Sequence, residues 1–189
     1  MPKQVIRFDE NERIAHVLML KSIFLSDIGL FWGQTGVALA MSKFYEHTKN
    51  EIFSDFVFDL LELVISKTNK GLPFSFSNGL SGIGWGIEYL IQHKLVEGES
   101  VEICEEIDHK IMETDPKRIL DFSLETGFEG LLLYILYHLQ GTIKNGTSLP
   151  FDSIYLSDIY SVCKNIKNKD VNESLRSLLD IYINFVENK

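Results

Sequence analysis

Gly29-Leu30-Phe31-Trp32-Gly33-Gln34-Thr35-Gly36 contains a Gly-x-x-Gly step that the chain uses three times. Gly79-Leu80-Ser81-Gly82 follows 46 residues after Gly33, and Gly127-Phe128-Glu129-Gly130 another 48 residues on. Each step opens a run rich in apolar residues, over 37–45, 83–91 and 131–139. Even spacing of about 47 residues is the mark of a repeat architecture, and that length holds two helices and two turns. The chain therefore reads as stacked helical hairpins, with inner helices that begin at the glycine steps.

Two glycines three apart leave a bare backbone along a helix's first turn. Neighbouring helices can then approach closely, and a positive φ is allowed at the turn. First-turn N–H groups lack intrahelical partners. Three such starts at one rim would present donors and the positive ends of three helix dipoles, a candidate functional face. The alternative is that Gly29, Gly33, Gly36, Gly79, Gly82, Gly127 and Gly130 serve packing alone.

Outward from these steps, the apolar spacing predicts about eight helices. They lie at 11–25, 34–47, 51–67, 80–93, 100–113, from the third step to 140, then 151–167 and 171–186, with a loop over 141–150. Residues 1–9 read as a short arm. Two glycines inside the second unit, Gly84 and Gly86, each cost about 1 kcal/mol against alanine, which implies a very close contact with a neighbouring helix or a ligand. No period-2 strand pattern appears, so the expected fold is all-α in one domain over 1–189. Its repeats fall at about 11–50, 51–98 and 99–141, with a trailing helix pair at 150–187.

The 189 residues are 45% hydrophobic, enough for a packed core, and the net charge of −9 disfavours nucleic acid. No apolar run approaches the ~20 residues that span a bilayer. Two cysteines, Cys104 and Cys163, make no disulfide framework. With no apolar leader at the start, a cytoplasmic protein is expected.

At the glycine steps the chain resembles the lanthionine synthetase C-like family, whose repeated motif Gly-Leu-x-x-Gly-x-x-Gly is close to residues 29–36. The resemblance covers about residues 11–140. It implies a partial α/α toroid, roughly half a ring, and a place in lanthipeptide-type peptide modification. The family's cyclases hold a zinc ion on Cys, Cys and His in the two residues just before a Gly-x-x-Gly, where the metal lowers a peptide thiol's pKa. Here those residues are Phe31-Trp32, Ser77-Asn78 and Glu125-Thr126, none of them Cys or His. No zinc ligand is carried over, no cofactor is expected, and zinc enters only if a partner supplies ligands.

The resemblance thus implies an accessory or binding protein without the zinc site. Its partner would be a peptide or a modification enzyme, held around Trp32, Gln34, Ser77, Asn78, Glu125, Thr126 and Glu129. The alternative is an enzyme completed by dimerisation or by a partner chain, as a peptide cyclase or a carboxylate-dependent hydrolase. A half ring exposes open hairpin faces, so a homodimer or a partner closing the ring is one expectation, and capping by the last two helices is the other.

Other groupings are weaker. Cys104, Glu105, His109 and Glu113 share helical spacing, yet a solvated outer face explains them. His47 and His93 occupy the same repeat position, where a histidine pairs with helix-end carbonyls. Asp27, Glu88, Glu125 and Glu129 are the carboxylates nearest the inner helices, and sequence spacing cannot pair two of them across a cleft.

Overall fold

The computed structural model describes residues 10–68 and 71–188. Among them every regular element is helical and no strand occurs, so the fold is all-α. The arm expected at 1–9 lies outside the described residues. No described helix is long and apolar enough to cross a membrane.

The helices are α1 (Glu10–Ser22), α2 (Gln34–Thr48), α3 (Glu51–Lys67), α4 (Leu80–Gln92), α5 (Ser100–Ile103), α6 (Glu105–Met112), α7 (Phe128–Asn145), α8 (Ser153–Ile166) and α9 (Glu173–Glu187). A short 3-10 turn at Pro116–Arg118 joins α6 to the third glycine loop. Three departures from the sequence reading matter. Helix α1 stops at Ser22. The helix expected over 100–113 breaks at Cys104, a fully buried residue with φ −91° and ψ 1°. Helix α7 runs through Gly141 and ends at Asn145, where Gly146 caps it with φ +70°.

Helices α2, α4, α7 and α9 pack in sequence as one row, and α3, α6 and α8 pack on α2, α4 and α9 as a second layer. Helix α1 packs on α2 at the free end of the row. The row's middle is the core. Leu80, Ile83, Ile87 and Leu90 of α4 and Phe128, Leu131, Ile135 and Leu139 of α7 are all buried. Burying a side chain of this size is worth about 1.5–3 kcal/mol.

Gly84 and Gly86 explain how α4 fits between its neighbours. A Cβ on Gly84 would lie 2.6 Å from the Tyr134 ring of α7, and one on Gly86 would lie 2.5 Å from Thr35 Cγ2 of α2. The close contact inferred for these glycines is helix on helix, on both sides. Gly141 is a third such point, since a Cβ there would strike the Glu88 carboxylate.

Helices α3, α8 and α9 use side-chain caps. Asn50, Asp152 and Asn172 accept from Ile52, Tyr155 and Leu175 amides at 3.2, 2.7 and 2.7 Å. The glycine-led helices α2, α4 and α7 have no side-chain cap. Their N-caps Gly33, Gly79 and Gly127 have φ of −119°, −129° and −113°. These are extended values that any residue adopts, so the positive φ anticipated at the turn is not why glycine stands there. The reason is space: a Cβ at each would collide with its own loop, at Gly29 N, Pro73 O and Asp121 O.

Candidate functional site

Each inner helix is preceded by a seven-residue loop, 27–33, 73–79 and 121–127. The three fold back on their helices in the same way. Gln34, Leu80 and Phe128, the first residues of their helices, donate N–H to the carbonyls of Asp27, Pro73 and Asp121 at 3.0, 2.9 and 2.8 Å. Thr35 and Ser81 add amide bonds to the Ile28 and Phe74 carbonyls, both 3.3 Å. Their hydroxyls bond the same two carbonyls at 2.6 and 2.5 Å. Gly36 donates to Gly29. The loops themselves take the first amide of each of these helices, the second of α2 and α4 and the third of α2, which reduces the ring of free helix-start donors expected from sequence.

The loops also bond to one another. Phe31 N–H donates to the Ser77 carbonyl at 2.8 Å, and Ser77 N–H donates to the Glu125 carbonyl at 2.9 Å. Phe31, Ser77 and Glu125 hold the same repeat position, so the three loops form a ladder. Phe76 N–H doubles the second rung on Glu125 at 3.0 Å. The glycines set the spacing: a Cβ on Gly29 would strike the Asn78 backbone, one on Gly82 would lie 3.0 Å from Leu30 Cβ, and one on Gly130 would strike Phe76 Cβ. The glycine steps thus share one rim, with Leu30 and Phe76 lodged against the glycine of the next repeat.

Side chains at the next position, Trp32, Asn78 and Thr126, form an exposed row along this ladder, with Trp32 77% exposed. Phe31 is 40% exposed and stacks edge-on against Phe76, which stacks in turn on Trp85. Glu125 is exposed. Asp27 and Asp121 accept the amides of Gly29 and Ser123 at 2.7 and 2.8 Å, each closing its loop. The Thr126 hydroxyl, then the Ser123 amide and hydroxyl, hold the Asp121 carboxyl below its usual range. The loops contain Asp27, Asp121 and Glu125 and no lysine or arginine. One lysine from outside reaches them: the Lys169 ammonium lies 5.4 Å from the Phe122 ring.

Three residues predicted at this face are turned inward. Gln34 is fully buried, donating to the Ser22 carbonyl at 2.9 Å and accepting from Lys67 Nζ at 3.2 Å. Glu129 is buried and takes a 2.8 Å bond from Asn172 Nδ2, the N-cap of α9. Ser77 is buried, and its hydroxyl donates to Asn78 Oδ1 at 3.3 Å, beside the Ser75 hydroxyl at 2.8 Å. Trp32, Asn78, Glu125 and Thr126 remain presented to solvent.

A second polar constellation lies inside the row of helices. His138 of α7 bonds Glu88 of α4 through Nδ1 at 2.7 Å and Asp108 of α6 through Nε2 at 3.0 Å. Tyr134 donates to Asp108 at 2.5 Å, and Gln92 donates to Glu88 at 2.8 Å. Phe151 packs edge-on against both Tyr134 and His138. Burial pulls His138 down, but the bonds to Asp108 and Glu88 outweigh it and hold the imidazole at about 9. Burial pushes Glu88 up, yet bonds from His138, Ser100 and Gln92 leave it lowered. For Asp108 burial wins over the His138 and Tyr134 bonds, and its carboxyl is raised.

Sequence reading named Glu88 and missed His138, Asp108 and Tyr134. The available signal was the four-residue spacing of Tyr134 and His138 on one face of an otherwise apolar helix. The site is closed: His138 and Glu88 are 0% exposed. It ties three helices together and offers no approach for a substrate.

The remaining candidates resolve as outer surface or core. Glu105, His109 and Glu113 are exposed, whereas Cys104 turns inward beside Tyr134. His93 bonds the Tyr89 carbonyl at 2.8 Å and stacks on the Tyr89 ring, the helix-end role expected of it. Burial pushes the Cys104 thiol well up and the Cys163 thiol to about 12, so both are inert at neutral pH. The residues ahead of the glycine steps do not fit a zinc ion: they offer no thiolate or imidazole, and no group of three or more His, Cys, Asp or Glu suited to a metal occurs among the described residues. Comparison of the chain with protein-family models and with curated proteins gives no match.

Proposed function

We propose that this protein is a non-catalytic binding module of the lanthionine synthetase C-like kind, and that its loop rim takes a cationic peptide segment. The carrying observation is the ladder. It holds Trp32, Asn78 and Thr126 in an exposed row, on loops joined by the Phe31, Phe76 and Ser77 amides. A row fixed in this way costs little ordering entropy when a ligand binds.

The chemistry of the row supports a cationic ligand. Exposed Phe31 and Trp32 give aromatic faces for a Lys or Arg side chain, worth about 0.5–1 kcal/mol at an exposed site. Glu125 supplies a carboxylate, and the loops have no cation of their own to compete. Lys169 over Phe122 is an example of the same contact within the chain. The net charge of −9 favours encounter with a basic partner. A precursor peptide or a segment of a modification enzyme would be such a ligand, and the role inside peptide modification rests on the motif resemblance.

Selection of a random peptide library on the purified protein tests this reading. It predicts peptides enriched in Lys or Arg next to aromatic residues, weakened about tenfold or more by Trp32→Ala combined with Glu125→Gln. Both positions are exposed, so the variant keeps its fold. Selection of no basic peptide, or equal binding by the variant, would refute it.

A further inference from the structure

We infer that the peptide site of the loop rim continues along one face of α4, where Trp85 and Tyr137 take an aromatic side chain of the same peptide. The inference rests on the rim reading and adds to it a second contact and a register.

The face follows from helix geometry. Helix α4 meets α7 through Gly84 and Glu88 and meets α2 through Gly86. Its Ile83 and Ile87 are buried in the core. Trp85, Tyr89 and His93 are spaced four apart and share the face that remains, turned about 200° from Ile83 and Ile87. Trp85 and Tyr89 are half-buried there, and His93 is exposed. Tyr137 of α7 joins them with its ring 5.6 Å from that of Trp85. Trp85 lies 5.4 Å from Tyr89, and His93 stacks on Tyr89 at 4.0 Å. Towards the rim Trp85 meets Phe76 at 5.7 Å, and Phe76 meets Phe31 at 6.1 Å. Aromatic rings therefore run unbroken from the rim to the C-terminal end of α4.

Charge decides which part of a peptide lies where. The rim end carries Asp27, Asp121 and Glu125, with no lysine or arginine in its loops. At the far end the Lys43 ammonium sits 5.2 Å from the Tyr89 ring and 2.6 Å from Glu46. Lys43, with His93 and Lys49 beyond it, holds the Glu46 carboxyl below its usual range, so basic groups surround that end. A peptide cation is drawn to the rim and repelled by Lys43 over a screening length of about 8–10 Å. The Trp85–Tyr137 step between them is uncharged. It suits an aromatic ring, which gains from offset or edge contact with other rings. Lys43 already covers Tyr89 and closes the strip there. Trp85 is the sixth residue of α4, about 7.5 Å along a helix that rises about 1.5 Å per residue. An extended peptide advances about 3.3 Å per residue, so the aromatic residue falls two or three positions from the cation.

Labelling with 5-fluorotryptophan tests this, because the chain has two tryptophans and one stands at each contact. Fluorine NMR of the full chain reads Trp32 and Trp85 separately, with Trp32→Phe giving the assignment. The probe is a capped Lys-Ala-Ala-Phe peptide. It should shift both resonances along one binding curve. The capped Lys-Ala-Ala-Ala peptide should shift Trp32 alone and bind about threefold or more weakly. Tyr137→Leu should shrink the difference between the two peptides, an effect that a merely structural role would not produce. A Trp32 shift with Trp85 unmoved, or a difference unchanged by Tyr137→Leu, would overturn the inference and leave the rim reading intact. A Trp85 shift without Trp32 would overturn the rim reading and the shared peptide with it, and no shift at either would overturn both. A Trp85 resonance that moves with protein concentration alone would give the face to a second copy of the chain, and would also overturn the inference.

Discussion

His138 is the residue on which the interior depends most. It carries a proton between two carboxylates inside a closed site, and removing one partner of a buried charge network typically costs about 3–5 kcal/mol. We expect His138→Ala to lose stability of that size in urea unfolding at pH 7. The pH dependence follows from the raised imidazole. An unfolded histidine titrates near 6.5, and this one near 9. Its contribution is fully present below about 6.5 and is lost as pH rises through about 9, a change on the order of 3 kcal/mol. Unfolding free energy should therefore fall between pH 7 and pH 10. A flat profile over that range would contradict a protonated His138. Gly84 is a purely steric case at the same scale. Gly84→Ala puts a methyl against the Tyr134 ring, and we expect a loss of about 1–3 kcal/mol, read as a lowered melting temperature. The glycine needed no partner knowledge to be flagged, because a glycine inside an apolar helix already implies close contact. His138 did need it. The side chains that hold it lie 50 and 30 residues away in sequence, and no local pattern pairs them.

Among the elements, the trailing pair shows how a repeat protein ends. Helix α9 takes the next place in the inner row without a glycine step. Its N-cap Asn172 has two tasks: it accepts from Leu175 N–H and donates to buried Glu129. The residue two positions after the glycine cap is Thr35, Ser81 and then Glu129 in the three repeats. The first two bond their own loops, whereas the longer third reaches the cap of α9. Asn172→Ala should destabilise the protein by about 1–3 kcal/mol through the lost cap and the unpaired carboxylate. Proteolysis would localise the effect, with early cleavage expected before α9; unchanged stability would show that the Glu129 link carries no weight. Helix existence was readable from apolar period and punctuation. Boundaries failed where tertiary contact overrode a local signal: Gly141 looked like a stop, but its missing side chain admits Glu88 and the helix continues.

For the whole molecule, the repeated glycine step turned out to specify a relation between repeats more than a feature of each one. Its period gave the helical hairpins and placed the three helix starts at one rim. What spacing could not give was the use of the first-turn amides. That use depends on each loop folding back over its own helix, so at the first residue of each glycine-led helix the rim presents a loop edge in place of a free N–H. Trp32, Asn78, Glu125 and Thr126 are exposed on the rim, while Gln34, Ser77 and Glu129 are turned inward, where Gln34 bonds Ser22 and Lys67 and Glu129 bonds Asn172. The ladder itself is open to a direct measurement, amide hydrogen exchange followed by NMR. Phe31, Phe76 and Ser77, which bond between loops, and Gln34, Leu80 and Phe128, which bond back to them, should exchange slowly in the native protein, although they lie outside regular helix hydrogen bonding. Rapid exchange at Phe31 and Ser77, at rates typical of open loops, would mean that the three loops do not form one hydrogen-bonded rim.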